Sequence, residues 1–360
     1  MTYEEARALF PVLRRFAYLN AGTFGPLSQP TIAAMEERNR FDHEFGRGGK
    51  RWYESVFELR TRVRKVVAAT IGATPDRVAL TSSTTDGCNI VFAGFGLRPG
   101  EEVVTTDSEH PGLLLPLHAS GATVRVAEVT TRPTGEALET ILAHVTPKTR
   151  LFALSHVLWT TGQVMPVHEL RHETGLPVLV DGAQSVGAIP VDVGELDFYT
   201  VSGQKWLCGP EPTGALYVRD PGRLRVALPT YFSQQSLERD GSFVPKDGAL
   251  RFDSGWIATP GLAGLEAALT GAPSWRFERA REMAARCRAA LAAGGYEVAS
   301  DGEATLVPFV APGDAAEDAL RLYEAGVIVR DLPGTGRLRA SCGWWTSDDD
   351  IARLVRALAG

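Results

Sequence analysis

The sequence predicts an α/β fold built on a mainly parallel sheet. Strand-like apolar runs recur between helical or loop segments from residue 78 to residue 218, and several end in residues capable of chemistry. With 360 residues and 44% hydrophobic content, the chain can also bury more core than one small domain requires.

The elements follow from spacing. Between residues 55 and 72, Val56, Leu59, Val63, Val66, Val67 and Ile71 recur at helical intervals and Gly72 supplies a stop. Seven strand-like runs follow at 78–81, 102–105, 123–127, 150–155, 178–181, 198–202 and 214–218. Their alternation with helical segments places helices on both faces of the sheet and ligands at the carboxyl ends of the strands. Residues 221–258 read as loop-rich, 260–271 as a packed apolar helix, and 46–50 as a short basic loop. From 275 to 293 an amphipathic helix opens a section with short strands at 305–310, 326–329 and 337–341 and helices at 315–325 and 347–358. The expected division is an N-terminal arm, 1–20, a large domain, 21–261, and a smaller C-terminal α/β domain, 262–360.

A net charge of −6 and a pI near 5.7 give no reason to expect nucleic acid or a membrane surface as partner. Small molecules and a second copy of the chain are the expected partners. Cys88, Cys208, Cys287 and Cys342 are scattered without CxxC pairing, which suits a reducing compartment, and no metal site is indicated. No apolar run approaches the roughly 20 residues of a membrane span, so the expected location is cytoplasmic.

Two strand ends carry the strongest chemical signal. Val178-Leu179-Val180 delivers Asp181, and Thr200-Val201 leads through Ser202-Gly203-Gln204 to Lys205. An amine can hold an aldehyde as a Schiff base, and an acid can keep a pyridine nitrogen protonated, which is what pyridoxal phosphate requires of a protein. Thr81-Ser82-Ser83-Thr84-Thr85-Asp86-Gly87 follows a strand and opens a helix, offering backbone N–H groups and hydroxyls to a phosphate. In Ser108-Glu109-His110-Pro111-Gly112 the imidazole is placed to stack on a flat ring and exchange protons. Arg337 and Arg339 alternate on one face of a short strand; either could fork onto a carboxylate, and pattern does not choose between them.

With these residues in order, the chain resembles the class V aminotransferase family of fold-type I pyridoxal phosphate enzymes. The resemblance runs from Tyr18-Leu19-Asn20-Ala21-Gly22 through Ser83-Thr84-Thr85-Asp86-Gly87, Glu109-His110, Asp181-Gly182-Ala183-Gln184-Ser185 and Ser202-Gly203-Gln204-Lys205-Trp206 to Arg339-Ala340-Ser341. It implies pyridoxal 5'-phosphate as cofactor, a seven-stranded sheet and a homodimer. Lys205 would be the Schiff-base lysine, Asp181 the partner of the ring nitrogen, Gln184 a hydrogen bond to the ring oxygen, and His110 the stacking residue. Thr84, Thr85, Ser202 and Gln204 would hold the phosphate. Arg339 would hold the substrate carboxylate, with Asn20 and His156 also at the substrate.

Within the family, Ser155-His156-Val157-Leu158-Trp159-Thr160-Thr161-Gly162 and Lys205-Trp206-Leu207-Cys208-Gly209 look like the cystine C-S lyase branch. The loop that carries a nucleophilic cysteine in desulfurases is here Val329-Arg330-Asp331-Leu332-Pro333-Gly334-Thr335-Gly336, with no cysteine. The expected reaction is therefore β-elimination from cystine or a related cysteine derivative, with an aminotransferase, an epimerase and a desulfurase lacking the loop cysteine as alternatives. Trp256 stands where the family usually offers a hydroxyl to the neighbouring subunit's phosphate, with Thr259 as a substitute.

Overall fold

The computed structural model describes residues 1–299 and 302–360. Its centre is a seven-stranded sheet: β1 (Val78–Thr81), β2 (Glu102–Thr106), β3 (Thr123–Ala127), β4 (Thr149–Ser155), β5 (Val178–Asp181), β6 (Phe198–Ser202) and β7 (Gly214–Val218). The spatial order is β1-β7-β6-β5-β4-β2-β3, and only the pairings of β7 with its two neighbours are antiparallel. β5 and β6 are buried along their whole length, as unbroken apolar runs in a parallel interior must be. β3, half exposed, forms one edge.

The parallel order brings the carboxyl ends of β4, β5 and β6 side by side, with Ser155 paired to Asp181 and Asp181 to Thr200. After Asp181 the chain must turn tightly against β6. A Cβ on Gly182 would come within 2.2 Å of the Thr200 carbonyl and 2.3 Å of the Tyr199 ring. Only glycine lets that turn close.

A second sheet of three antiparallel strands, β8 (Leu306–Val310), β9 (Arg330–Leu332) and β10 (Arg337–Ser341), has the order β8-β10-β9. Its core joins Met283, Leu291, Phe309, Leu322, Leu338 and Leu354. The N-terminal segment belongs to this core: Ala17–Tyr18 pairs in parallel with Val327–Ile328, Asn20 bridges Ser341, and Ala17 and Leu19 are fully buried there. The boundary expected at 262 falls inside the helix Thr259–Thr270, whose Leu262 and Leu265 pack into the core of the large sheet.

Three local expectations change. Residues 29–45 form a 17-residue helix, capped by the Ser28 hydroxyl, and the weak apolar face of this helix carries no periodic signal in the sequence. The helix expected from 55 begins at Gly49, so the basic loop shortens. Within the loop-rich stretch, Gln234–Leu237 and Phe243–Pro245 pair as an antiparallel hairpin.

A buried charge cluster anchors the helix Gly49–Thr70 to the large sheet. Asp253 accepts from Arg60 (3.0 Å), from both terminal nitrogens of Arg64 (2.9 and 2.7 Å) and from the Leu80 N–H (2.8 Å). Burial pushes its carboxyl up, but the Arg64 and Arg60 guanidiniums outweigh that and hold it low. Among the described residues, no helix is long and apolar enough to cross a membrane.

Candidate active site

A cavity opens at the carboxyl ends of β5 and β6, lined by Gly22, Thr23, Ser83, Thr84, Thr85, His110, Trp159, Gln184, Ser202, Gln204, Lys205, Arg330 and Arg339. Counting the part open to solvent it spans about 680 Å³, within the range of small-molecule sites. Eight of the residues expected from sequence therefore meet in one place, although they are spread from Thr84 to Arg339.

Lys205 sits in the turn after β6, held by the Gly203 N–H to the Thr213 carbonyl (2.8 Å) and the Cys208 N–H to the Lys205 carbonyl (3.0 Å). Burial lowers its ammonium from the usual 10.5 to about 8; Asp181 opposes this and Arg339 and Arg330 assist it. With a pKa of about 8 such a lysine is a neutral amine, the form that attacks an aldehyde, about a tenth of the time at pH 7, far more often than an exposed lysine. Covalent capture of pyridoxal 5'-phosphate by apoprotein is accordingly expected to accelerate as pH rises and to level off above about 8. Stopped-flow absorbance measures this, and a rate still climbing steeply at pH 10 would contradict it.

Asp181 lies behind the lining residues, 2% exposed, with Oδ1 accepting from the Ala183 N–H (2.9 Å) and the Thr200 hydroxyl (3.3 Å). Gln184 is oriented from both ends: its Oε1 accepts from Trp206 Nε1 (2.9 Å) and its Nε2 donates to the Gly22 carbonyl (2.9 Å), leaving one N–H. Ser202 donates its hydroxyl to Gln204 Oε1 (2.9 Å), which leaves the Gln204 amide nitrogen as a donor.

The turn after β1 opens a helix. Ser83 caps the helix Thr84–Phe95 by accepting from the Asp86 N–H (3.1 Å), which puts Thr84 and Thr85 in the first turn at the positive end of the helix. His110 is itself the N-cap of the helix Pro111–Ala119. Its Nδ1 accepts from the Gly112 N–H (3.0 Å), so the neutral ring carries its proton on Nε2. Burial first, then Lys205, pushes its pKa down and favours that neutral form. The ring stands edge-on to Trp159, centroids 5.4 Å apart.

Arg339 and Arg337 part company in the structure, and only Arg339 lines the cavity. It is 1% exposed and donates Nη1 to the Trp159 carbonyl (2.9 Å), while its Nε and Nη2 are buried without a partner. Arg337, two residues away, pairs with Glu297 at the surface (3.2 Å). Arg330, expected in a loop, is directly opposite Arg339 in the β9–β10 ladder. It donates Nη1 to the Thr23 hydroxyl (3.3 Å), and its Nε is also unpartnered. Two guanidiniums facing each other across a ladder repel. With buried donors left over, the pair is suited to a carboxylate. A Cβ on Gly22 would come within 2.6 Å of Arg339 Nη2, so glycine keeps that edge free.

Two expected substrate residues fall outside the lining. His156 is buried, with Nδ1 against the Tyr199 hydroxyl (2.7 Å), which in turn contacts the Ser185 hydroxyl (2.5 Å). Burial, with His168 nearby, lowers its pKa to about 4, so it is a neutral packing residue of the sheet. Asn20 turns its Oδ1 to the Thr23 hydroxyl (2.8 Å) and supports the cavity wall from behind. Neither Trp256 nor Thr259 reaches this cavity: Thr259 donates to Asp42 (2.9 Å), and Trp256 stacks on Trp52 and Tyr231 in a half-exposed aromatic shelf.

The fold and the lining together define a fold-type I enzyme, with a lysine, a buried acid, an anion turn and a carboxylate fork around one crevice. The chain belongs to the aminotransferase class V family of pyridoxal phosphate-dependent enzymes, whose family model matches residues 18–337. It is 30% identical to the isopenicillin N epimerase of Streptomyces clavuligerus, over 99% of this chain and 97% of that one. It is 33% identical to a cysteine desulfurase of Escherichia coli O1:K1 / APEC, over 74% of this chain and 70% of that one. Among solved structures it superposes on the cystine C-S lyase C-DES in complex with its reaction product cysteine persulfide. The TM-score is 0.90 at 30% identity, covering 97% of this chain and 99% of that one. A C-DES mutant with glycine covalently linked to its cofactor gives a TM-score of 0.91 at 30% identity, covering 98% of each chain.

Proposed function

We propose that this chain is a carbon–sulfur lyase that cleaves cystine, or a related cysteine derivative, by β-elimination. The products would be pyruvate, ammonia and a thiol or persulfide. The observation that carries this reading is the lining itself: Lys205 and two unsatisfied guanidiniums face the cavity, and no described lining residue is a thiol. Cys342, nearest in sequence to the carboxylate strand, is fully buried in the core of the small sheet. A desulfurase of the persulfide-forming type needs a thiolate acceptor, which this lining does not offer. The likeness to C-DES supports the same assignment.

The cofactor is pyridoxal 5'-phosphate, and the residues present fit it: the lysine of lowered pKa suits its aldehyde, the helix-end turn its phosphate, and the orphaned Arg339 nitrogens a substrate carboxylate beside it. When bound, it supplies an electron sink for charge developing at the substrate's α-carbon. Thr84, Thr85, Ser202 and Gln204 would bind the phosphate, and Asp181 would hold the proton on the ring nitrogen. His110 would cover the ring face with Nε2–H as a donor. Arg339, beside Arg330, would fix the substrate carboxylate and thereby aim the α-hydrogen. Lys205 would hold the aldehyde, and its Nζ would take the substrate's α-proton and later return it toward the leaving group.

Its partners would be an amino-acid substrate and a second copy of the chain, for which the exposed rings of Tyr53, Tyr231 and Trp256 offer a surface; its location would be cytoplasmic. An epimerase would share the α-proton step, and the likeness to isopenicillin N epimerase favours that as the second reading. One experiment separates them. Holoenzyme, its oligomeric state measured by light scattering in the same buffer, is given cystine, cysteine and several thioether amino acids. Pyruvate with thiol or persulfide is expected from cystine; inversion without pyruvate would establish the epimerase, and a monomer would remove the dimer.

A further inference from the structure

Glu109 has no part in the roles assigned so far, yet it is 5% exposed and makes three hydrogen bonds that join two strands. Oε1 accepts from the Thr106 hydroxyl (2.7 Å), at the end of β2. Oε2 accepts from the Ser155 N–H (2.9 Å) and hydroxyl (2.6 Å), at the end of β4. The ladder between these strands pairs Glu102, Val103 and Val104 with Thr149, Leu151 and Phe152, and stops there. Beyond it the strand ends have no backbone pairing with each other, and the Glu109 carboxylate spans the gap.

What lies on either side of the gap gives the span its meaning. Ser155 is the register partner of Asp181 in β5. The residue after Glu109 is His110, whose ring is already fixed by the Gly112 N–H. We propose that Glu109 is a positioning residue that sets the separation between the His110 imidazole and the Asp181 carboxylate, so that a planar ring is held by its face and its edge on one rigid frame. This rests on the pyridoxal phosphate reading of the cavity.

A polar staple is a costly way to hold two strand ends. Burial, aided by Asp181, pushes the Glu109 carboxyl up to about 7 against the pull of its three donors. An apolar pair would hold the strands at lower cost but would not fix two directions at once. Such expense in a supporting group is expected where geometry rather than stability is at stake.

The test compares Glu109→Gln and Ser155→Ala with the wild type by three readouts: apoprotein Tm, affinity for pyridoxal 5'-phosphate, and the visible circular dichroism of the bound cofactor. Glutamine can face its NH₂ only to the Thr106 hydroxyl, which must then accept instead of donate, and the bonds from Ser155 lose their charged acceptor, so cofactor affinity is expected to fall about tenfold, the effect of one hydrogen bond to a charged group. The induced dichroism per bound cofactor is expected to fall with it. Ser155→Ala, which keeps one of the two donors, should lie between Gln and wild type. Wild-type affinity and dichroism in Glu109→Gln, with or without a lower Tm, would overturn the proposal and leave a structural staple. If Glu109→Gln does not fold, the same two readouts on Ser155→Ala decide in the same way. Failure of the wild-type protein to bind the cofactor would instead remove the underlying reading.

Discussion

Replacing Lys205 with alanine is expected to reduce turnover by at least about 10³-fold while leaving the fold and the cofactor's phosphate contacts in place. Lys205 supplies the only side-chain amine among the described lining residues, so no neighbour can take over its proton transfers. Its removal also relieves a cost, because burial disfavours its charged form. Apoprotein Tm should therefore hold or rise. Steady-state kinetics with cofactor content measured on the same sample checks this, and added small primary amines should restore part of the rate. A variant that turns over near the wild-type rate would sink the mechanism.

Arg339→Ala is expected to lower kcat/KM by about 10²- to 10³-fold, mostly through KM, because a buried charge-assisted fork is lost. Arg339→Lys should recover little, since an ammonium is a point charge and cannot present two parallel donors to a carboxylate. The apoprotein should respond with the opposite sign. Arg339 is desolvated, faces Arg330 and leaves two nitrogens unsatisfied, so its removal takes strain out of the unliganded fold. Initial rates and thermal melts together make the check; unchanged KM in the alanine variant would move the carboxylate contact elsewhere.

How far the site was legible depended on how local each signal was. Asp181 and Lys205 could be read because an apolar run ending in one polar residue is written in consecutive letters. The Ser83 cap and the turn behind it were legible for the same reason. His156 reads equally as a substrate contact or a packing residue from the strand end alone; what the letters do not carry is its contact with Tyr199, made across the sheet. Arg337 and Arg339 were inseparable by alternation, since both lie on one face. What separates them is their position along β10, one end meeting Glu297 and the other the cavity. Arg330 was missed although a signal existed: Leu332-Pro333-Gly334-Thr335-Gly336 has the composition of a turn between two strands, and pairing across it puts Arg330 opposite Arg339. The small sheet's claim on residues 17–19 had no such signal, because two-residue strands carry no period.

That claim fixes when the site can exist. Tyr18 pairs with Ile328 and Asn20 with Ser341, and Gly22 and Thr23, two steps on, line the cavity with Arg339. At translation rates of about 5–20 residues per second, the N-terminal arm leaves the ribosome roughly 15–60 s before its partner strand does. During that interval the large sheet can already form around Asp181 and Lys205, but the carboxylate fork and the wall beside it cannot. Nascent chains stalled once β7 has emerged, which joins β1 to β6 and brings the Thr213 carbonyl to the Lys205 turn, could thus collect the cofactor without recognising a substrate.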